Sequence, residues 1–335
     1  MKVRRKFILI GVIVLVFLLS ASSLYAAEYT IRVANNTAPD FAWGKGMEVF
    51  KEYLEEISNG RIAVEVYHSG ALGSTRETIE MLRVGTLEVA LCGTAYTQSY
   101  VPEMGITLLP YLWKDRDTMF EVMDGPLGKL IEEKLEGVGY HVLGVLDNGF
   151  RHITNSRKPI KTIEDLKGLK IRCLPTPVHI AFFKALGAAP TPIDWTELFE
   201  ALRMKVVDAQ ENPPAMVYTA RFQEVQKYYS LSGHVNEPGC FLMSKIFYDR
   251  LPKELKLDVD LAAREATLWE RKVCYKDNQE MLKKLEEAGM KINDVPKETI
   301  DEFRRIAHEK VYPQVVKNFG PMSEELVNLF IWANR

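Results

Sequence analysis

The sequence has few cysteines and histidines, and neither residue type is spaced for metal binding. The six histidines include no H-E-x-x-H motif and no pair at the spacing of ligands on one helix. The cysteines form no C-x-x-C pair and no dense framework, so we expect sparse buried thiols and predict no metal site. These cysteines are Cys92, Cys173, Cys240 and Cys274.

Motifs for nucleotide binding and nucleophilic catalysis are also absent from the sequence. There is no G-x-x-x-x-G-K-[ST], the G-x-G of WGKGMEVF has no third glycine, and no G-x-S-x-G elbow occurs. Acidic pairs such as Glu55-Glu56 lie on amphipathic helix faces, where we expect them to be solvated. We therefore predict no cofactor and no enzyme activity. An exported enzyme with a site assembled from distant residues remains the alternative.

Neither sign of charge dominates, because 43 Lys and Arg residues face 45 Asp and Glu residues, for a net charge of −2. Such a chain has no general electrostatic attraction for nucleic acid or for anionic lipid. We predict no nucleic acid partner.

The apolar run Phe7–Leu19 is short for a membrane span, since its 13 residues compare with roughly 20 for a spanning helix. Basic residues precede it, and small residues ending in Ala26 and Ala27 follow it. This order is typical of a cleaved signal peptide, which we place at residues 1–27. The pattern predicts export to the periplasm, with a retained N-terminal anchor as the alternative.

The rest of the chain, about 300 residues, is long enough for two domains. YTIRVANN, RIAVEVYHSG and LEVALCG predict strands, and helices are predicted at WGKGMEVFKEYLEEISNG and TRETIEMLRVG between them. This alternation favours βαβ units and a largely parallel sheet. A second unit begins at YHVLGVLDNG, with a strand ending KIRCL, an extended TPIDW, a helix from Thr196 and a turn at DAQENPP. Two such units predict two lobes with a cleft between them.

The last third is helical in pattern. Residues 252–289 predict either one long helix that spans both lobes or two abutting helices, and further helices follow to the C-terminus. We predict lobe I at residues 28–148 plus 238–277, and lobe II at residues 149–237 plus 278–335.

Two arginines and an asparagine lie where the predicted elements of the second unit end. Arg151 follows a strand, Arg172 ends another strand, and Asn212 lies in the predicted turn. In an α/β sheet the strand ends form the ligand crevice. Two guanidiniums and an amide at this edge would suit a carboxylate, because arginine offers planar bidentate donors and keeps its charge.

Three further residues could complete this crevice. Trp195 could supply an apolar wall, although a tryptophan of the core is equally compatible with the pattern. Asn36 and Glu77 could reach the crevice from the other lobe and bond hydroxyl groups. Helix capping for Asn36, and a favourable charge in the first helical turn for Glu77, are the alternatives.

The run LKGLKIRCLPTPVHIAFFKALGAAPTPIDWTELFEALRMKVVDAQENPP resembles the central signature of the DctP-type solute-binding proteins of tripartite ATP-independent periplasmic (TRAP) transporters. The resemblance extends through ALGSTRETIEMLRVGTLEVA, LLPYLW, GFRHITNSRKPI and LSGH, and so covers nearly the whole mature chain. It implies an α/β fold of two lobes with mixed sheets, a hinged cleft and a long helix spanning both lobes. It also implies a receptor that hands an organic acid to membrane permease subunits and meets the membrane only through them.

The resemblance also implies roles for individual residues. Arg172 matches the family's arginine that pairs with the substrate carboxylate, and Arg151 matches a second cationic contact. Asn212 is the asparagine of the Q-E-N-P segment, Trp195 an aromatic neighbour of the ligand, and Asn36 a polar contact at its distal end.

One position departs from the sialic acid-binding relatives, since Gly93 stands where they carry a glutamate. We therefore do not expect sialic acid. The remaining polar residues favour a sugar acid, a hexuronate or an aldonate, over a C4-dicarboxylate. These residues are Asn36, Glu77, Thr94, His234 and Glu237.

A subunit of a membrane sensor with the same fold remains an alternative to a transport receptor.

Overall fold

The computed structural model of the protein describes residues 27–320 and 323–333. The described strands form one five-stranded and one six-stranded sheet with helices packed around them, which confirms the predicted α/β fold of two lobes. The predicted signal peptide lies outside the described residues except for Ala27. The strands are β1 (Tyr29–Ala34), β2 (Ile62–Tyr67), β3 (Val89–Gly93), β4 (Tyr140–Leu146), β5 (Phe150–Asn155), β6 (Lys170–Cys173), β7 (Ala189–Pro192), β8 (Ala209–Asn212), β9 (Tyr228–Asn236), β10 (Gly239–Ser244) and β11 (Lys291–Asp294).

Helices connect these strands and cover both sheets. The α-helices are Ala42–Ile57, Thr75–Val84, Thr94–Thr97, Arg116–Met123, Pro126–Gly137, Pro177–Ala185, Leu198–Arg203, Pro214–Thr219, Lys245–Arg250, Lys253–Glu287, Lys297–Ile306, Tyr312–Val315 and Ser323–Ala333. Short 3₁₀ segments occur at Pro102–Leu108, Ile163–Leu166, Trp195–Glu197, Phe222–Glu224 and Val316–Asn318, and a π-helical turn at Ala307–Val311.

The first sheet has the strand order β2-β1-β3-β10-β4. β1 pairs in parallel with β2 and β3, as the strand and helix alternation predicts. β10 is antiparallel to both of its neighbours, so the expectation of a largely parallel sheet is wrong beyond β3. The reason is topological, because β10 enters this sheet from the second lobe and runs against β3.

The second sheet has the order β11-β9-β5-β8-β6-β7. β5 is antiparallel to β8 and β9, whereas β6 is parallel to β7 and β8. β8 joins the two halves of this sheet, because it pairs antiparallel with β5 on one side and parallel with β6 on the other.

Three local predictions are wrong in this lobe. Arg151, which we expected after the end of a strand, is the second residue of β5. Asn212 is the last residue of β8 and lies opposite His152 of β5, because sheet pairing overrides the turn preference of its sequence. Trp195 begins a 3₁₀ turn, and the next α-helix begins at Leu198 and not at Thr196. The Asp194 side chain sets this turn by accepting the backbone N–H of Thr196 at 3.1 Å.

Three segments cross between the lobes: Asp147–Gly149 after β4, Glu237–Pro238 after β9, and the helix Lys253–Glu287. That helix is continuous over its 35 residues, so the first of the two predicted alternatives is confirmed. Its earlier part packs on the helix Ala42–Ile57 of the first lobe. Leu285, near its end, is buried in the second lobe with Leu202 and Tyr229.

The C-terminal helices also contact the first part of the chain. Trp113 meets Phe330 edge to face at 5.9 Å, and the Tyr312 hydroxyl donates to the carbonyl of Pro110 at 3.0 Å. Residues that we assigned to lobe II therefore pack on residues 102–113 of lobe I, while the lobe boundaries themselves stay a prediction.

Among the described residues, no helix has the length and apolar character needed to cross a membrane.

The long helix is fixed to the first crossing segment through Glu270, which is fully buried. One of its carboxylate oxygens accepts the backbone N–H of Asp147 at 2.9 Å, and the other has no hydrogen-bond partner. Burial, with the nearby charge of Asp147, raises the pKa of Glu270 well above its ordinary value. This carboxyl group is therefore more stable protonated in the folded chain than in the unfolded chain.

We predict that Glu270→Gln raises the free energy of unfolding at pH 8 by about 1–3 kcal/mol. A group whose pKa is raised by folding stabilises the fold below its unfolded pKa, near 4.5, and this stabilisation is lost as the pH rises. The amide avoids that loss and keeps an oxygen for the Asp147 N–H. Urea denaturation from pH 4 to pH 8 measures the effect, and the exposed Glu265→Gln serves as control. Equal pH dependence of Glu270→Gln and wild type would contradict it.

Candidate functional site

A cavity lies between the two sheets, where strand ends from both lobes meet the crossing segments. Asn36 and Gly93 line it from the first lobe. Six of the nine residues predicted for the site line this cavity: Asn36, Arg151, Arg172, Trp195, Asn212 and Glu237.

The other three predicted residues do not line the cavity. Glu77 is exposed, and its carboxylate accepts the backbone N–H of Ser74 at 2.8 Å in a capping box at the start of its own helix. Thr94 is buried beneath the cavity and bonds Thr107 at 3.0 Å. His234 is buried behind the arginines, 3.2 Å from a carboxylate oxygen of Glu211.

Arg172 lies near the end of β6, and its side chain is buried at the cavity wall. Its Nε donates to the carbonyl of Ile193 at 2.9 Å, whereas the buried Nη2 has no hydrogen-bond partner. No carboxylate among the described residues lies within 4.0 Å of this guanidinium, which takes part in no ion pair there. A buried cation with an unused donor is costly, so it is suited to an anionic ligand.

Arg151 differs from Arg172 because its donors are already used by protein acceptors. Its Nε and Nη2 donate to the Glu211 carboxylate at 2.6 and 2.8 Å, and Nη2 also donates to the Glu211 carbonyl at 2.6 Å. Its Nη1 donates to Glu237 at 3.1 Å. Arg151 therefore lines the cavity with a charge that two carboxylates already offset.

Sequence reasoning missed Glu211, the strongest partner of Arg151. Burial alone would raise the pKa of Glu211, but the ion pair with Arg151 holds it well below the usual range. The one available signal was a glutamate inside the Q-E-N-P segment with no basic neighbour in sequence. Its arginine partner is 60 residues away and meets it only through the pairing of β5 with β8.

Glu237 belongs to the second crossing segment and reaches the cavity beside Gly93. One carboxylate oxygen accepts the backbone N–H of Ala95 at 3.2 Å, and the other accepts from Arg151. A Cβ atom at position 93 would collide with the first oxygen, so a larger residue there would displace this glutamate. Burial raises the pKa of Glu237, and the charge of Arg151 opposes the increase.

Trp195 connects the two lobes across the cavity. Its indole N–H donates to the carbonyl of Asn36 at 2.9 Å, and its backbone N–H donates to the Tyr96 hydroxyl at 3.2 Å. Burial raises the pKa of Tyr96 to about 12, so this hydroxyl is neutral at physiological pH. Tyr96 was not predicted, because nothing in its local sequence marks it.

Two amides complete the polar lining. The Asn36 amide bonds the Thr75 hydroxyl at 3.0 Å. Ser74 is the N-cap of the helix that begins at Thr75, and Phe41 is the N-cap of the helix that follows Asn36, so Asn36 occupies neither capping position. The Asn212 amide donates to Gln210 at 2.5 Å, and the Asn212 carbonyl accepts the Tyr229 hydroxyl at 2.8 Å. Both amides are thus fixed by the protein while they face the cavity.

Two α/β lobes around a buried cavity that carries an unpaired arginine define the class of two-lobed solute receptors. The profile of the bacterial extracellular solute-binding proteins, family 7 (DctP), matches residues 33–318. The chain belongs to this family of TRAP solute-binding proteins, as its sequence signature predicts.

Solved structures with the same fold contain different acids. The sugar acid binding protein of Advenella mimigardefordensis, in complex with galactonate, is 35% identical, with a TM-score of 0.88 over 91% of this chain and 97% of that one. A TRAP solute-binding protein of Sulfurospirillum deleyianum with bound succinate is 33% identical, with a TM-score of 0.87 over 92% and 100%. The 2,3-diketo-L-gulonate-binding periplasmic protein of Escherichia coli is 33% identical over 82% of this chain and 83% of its own.

We predict effects of different size on stability when each cavity arginine is replaced by methionine. Arg151→Met should lower the free energy of unfolding by about 3–5 kcal/mol, because it leaves the carboxylates of Glu211 and Glu237 buried without their partner. Arg172→Met removes a buried charge that has no acidic partner in the described chain, so the unliganded protein should lose less than about 1 kcal/mol or gain stability. Urea denaturation without ligand measures both. Equal destabilisation by the two variants would contradict the assignment of separate roles.

Proposed function

We propose that this chain is the extracytoplasmic receptor of a TRAP transporter and binds an organic acid anion whose carboxylate pairs with Arg172. The observation that carries the proposal is the buried Arg172 guanidinium, which lines the interlobe cavity and whose Nη2 has no hydrogen-bond partner among the described residues. A carboxylate would supply the missing acceptor and offset the charge, and the planar guanidinium can hold it by two hydrogen bonds.

A hydroxylated acid, a hexuronate or an aldonate, is the ligand class that we favour over a C4-dicarboxylate. The first-lobe wall of the cavity supports this preference, because Asn36, Thr37 and Thr75 offer neutral donors and acceptors there. Such groups match the hydroxyls of a sugar chain. Trp195 adds a flat apolar surface beside them.

The bonds of Trp195 to Asn36 and Tyr96 support a mechanism in which the lobes close on the ligand. Closure replaces the water around the carboxylate with fixed protein donors, in a region where electrostatic interactions are stronger than in water. The closed receptor would then dock on the membrane permease subunits outside the cytoplasm and release the acid to them.

The proposal predicts that Arg172→Ala abolishes the thermal stabilisation that an acid ligand gives to the wild type. Loss of a buried charge-assisted contact should weaken binding at least about thirtyfold, equivalent to about 2 kcal/mol. A thermal-shift screen of uronates, aldonates, C4-dicarboxylates and 2-oxo acids identifies the ligand, and titration calorimetry then gives the dissociation constants.

Arg203→Ala is the matched control for this experiment, because Arg203 is an exposed arginine paired with Glu200 on a surface helix. The control should bind the acid as tightly as the wild type. If Arg172→Ala also binds every acid as tightly as the wild type, the proposed site is wrong.

A further inference from the structure

We infer that Glu237 makes the cavity selective for acids with a single carboxylate. The cavity should reject an acid that differs from a bound one only by a second carboxylate in place of its terminal hydroxymethyl group. This inference rests on the proposed function, since it requires that Arg172 holds the ligand carboxylate. It adds the residue that decides selectivity and the physical reason for that selectivity.

Buried charge is distributed unevenly around the cavity. Arg151, Arg172, Glu211 and Glu237 are all exposed by 1% or less. Both carboxylates bond Arg151, at 2.6 to 3.1 Å, and neither lies within 4.0 Å of Arg172. The cavity therefore has one guanidinium charge available for a ligand, although two arginines line it.

No other cation of the described cavity lining could pair with a second carboxylate. Among the described lining residues, Arg151 and Arg172 are the basic ones, and the first-lobe wall carries neutral amides and hydroxyls. A second ligand carboxylate would thus be buried without a partner of opposite charge. Such a group costs several kcal/mol unless it is paired.

Glu237 is positioned to contact a ligand directly. Each of its carboxylate oxygens accepts one hydrogen bond from the protein, and a carboxylate oxygen can accept a second. Glu237 can therefore accept a hydroxyl group of a ligand, whereas it repels an anion. It cannot withdraw readily, because its carboxylate is held between Arg151 and the Ala95 N–H and packs against Gly93.

Glu237 exerts this selectivity as a carboxylate, the state that its ion pair with Arg151 supports. The four buried groups then sum to zero in charge. A second ligand carboxylate would face the like charge of Glu237 with no cation left to offset it.

Two matched pairs of acids test the inference on the wild-type protein. The first pair is galactonate and galactarate, and the second is erythronate and meso-tartrate. The two acids of a pair differ only at the terminal carbon, which is a hydroxymethyl group in the first acid and a carboxylate in the second. Titration calorimetry at pH 7.5 should show the monocarboxylate binding at least about tenfold more tightly in any pair that binds.

Glu237→Gln isolates the contribution of the charge. Glutamine keeps the size of the side chain and an oxygen for the Ala95 N–H, and it releases part of the Arg151 charge. We expect the ratio of the two dissociation constants in each pair to fall at least about tenfold relative to wild type. Glu77→Gln, which removes a negative charge outside the cavity, should leave that ratio unchanged.

The results that overturn the inference differ from those that overturn the proposed function. Dicarboxylates that bind the wild type as tightly as their monocarboxylate partners, or an unchanged ratio in a folded Glu237→Gln, overturn the inference alone. If no acid of either kind binds, or if Arg172→Ala binds as well as wild type, the proposed function itself fails and the inference fails with it. Should Glu237→Gln not fold, the wild-type comparison of each pair still decides.

Discussion

The buried network of Arg151, Glu211 and Glu237 determines how charge is distributed in the interlobe cavity. It joins strands β5 and β8 of the second sheet to the crossing segment that leads back to the first sheet. Because both carboxylates bond one guanidinium, the other arginine of the cavity has no acidic partner among the described residues. The network thus holds together the structure around the site and leaves Arg172 available.

The crossing segments explain why the network can form at this place. β10 follows β9 after two residues and enters the first sheet against β3, which brings Glu237 beside Gly93. The long helix passes behind the same region and bonds Asp147 through Glu270. Strand order, and not local sequence, therefore brings groups from residues 36 to 237 around one cavity.

The sequence was informative where a local pattern decides the structure. The strands β1, β2 and β3 with the helices between them, the long helix Lys253–Glu287 and the strand-end position of Arg172 follow from periodicity and turn residues. The signature around Arg172 identified the family. The partners of Arg151 could not be predicted, since Glu211 reaches it through the register of β5 against β8. Glu77 satisfied the same polar criterion as Asn36, yet its capping box with Ser74 keeps it outside the cavity.

The unpaired guanidinium also explains how a ligand can favour the closed form. With Trp195 bonded to Asn36 and Tyr96, Arg172 is buried and its Nη2 lacks an acceptor, which is costly for a charged group. When the lobes separate, water can solvate that guanidinium. In the proposed mechanism, a ligand carboxylate would remove this cost from the closed form. The open form, already solvated, would gain less, and this difference in free energy is what a ligand needs to shift the population toward closure.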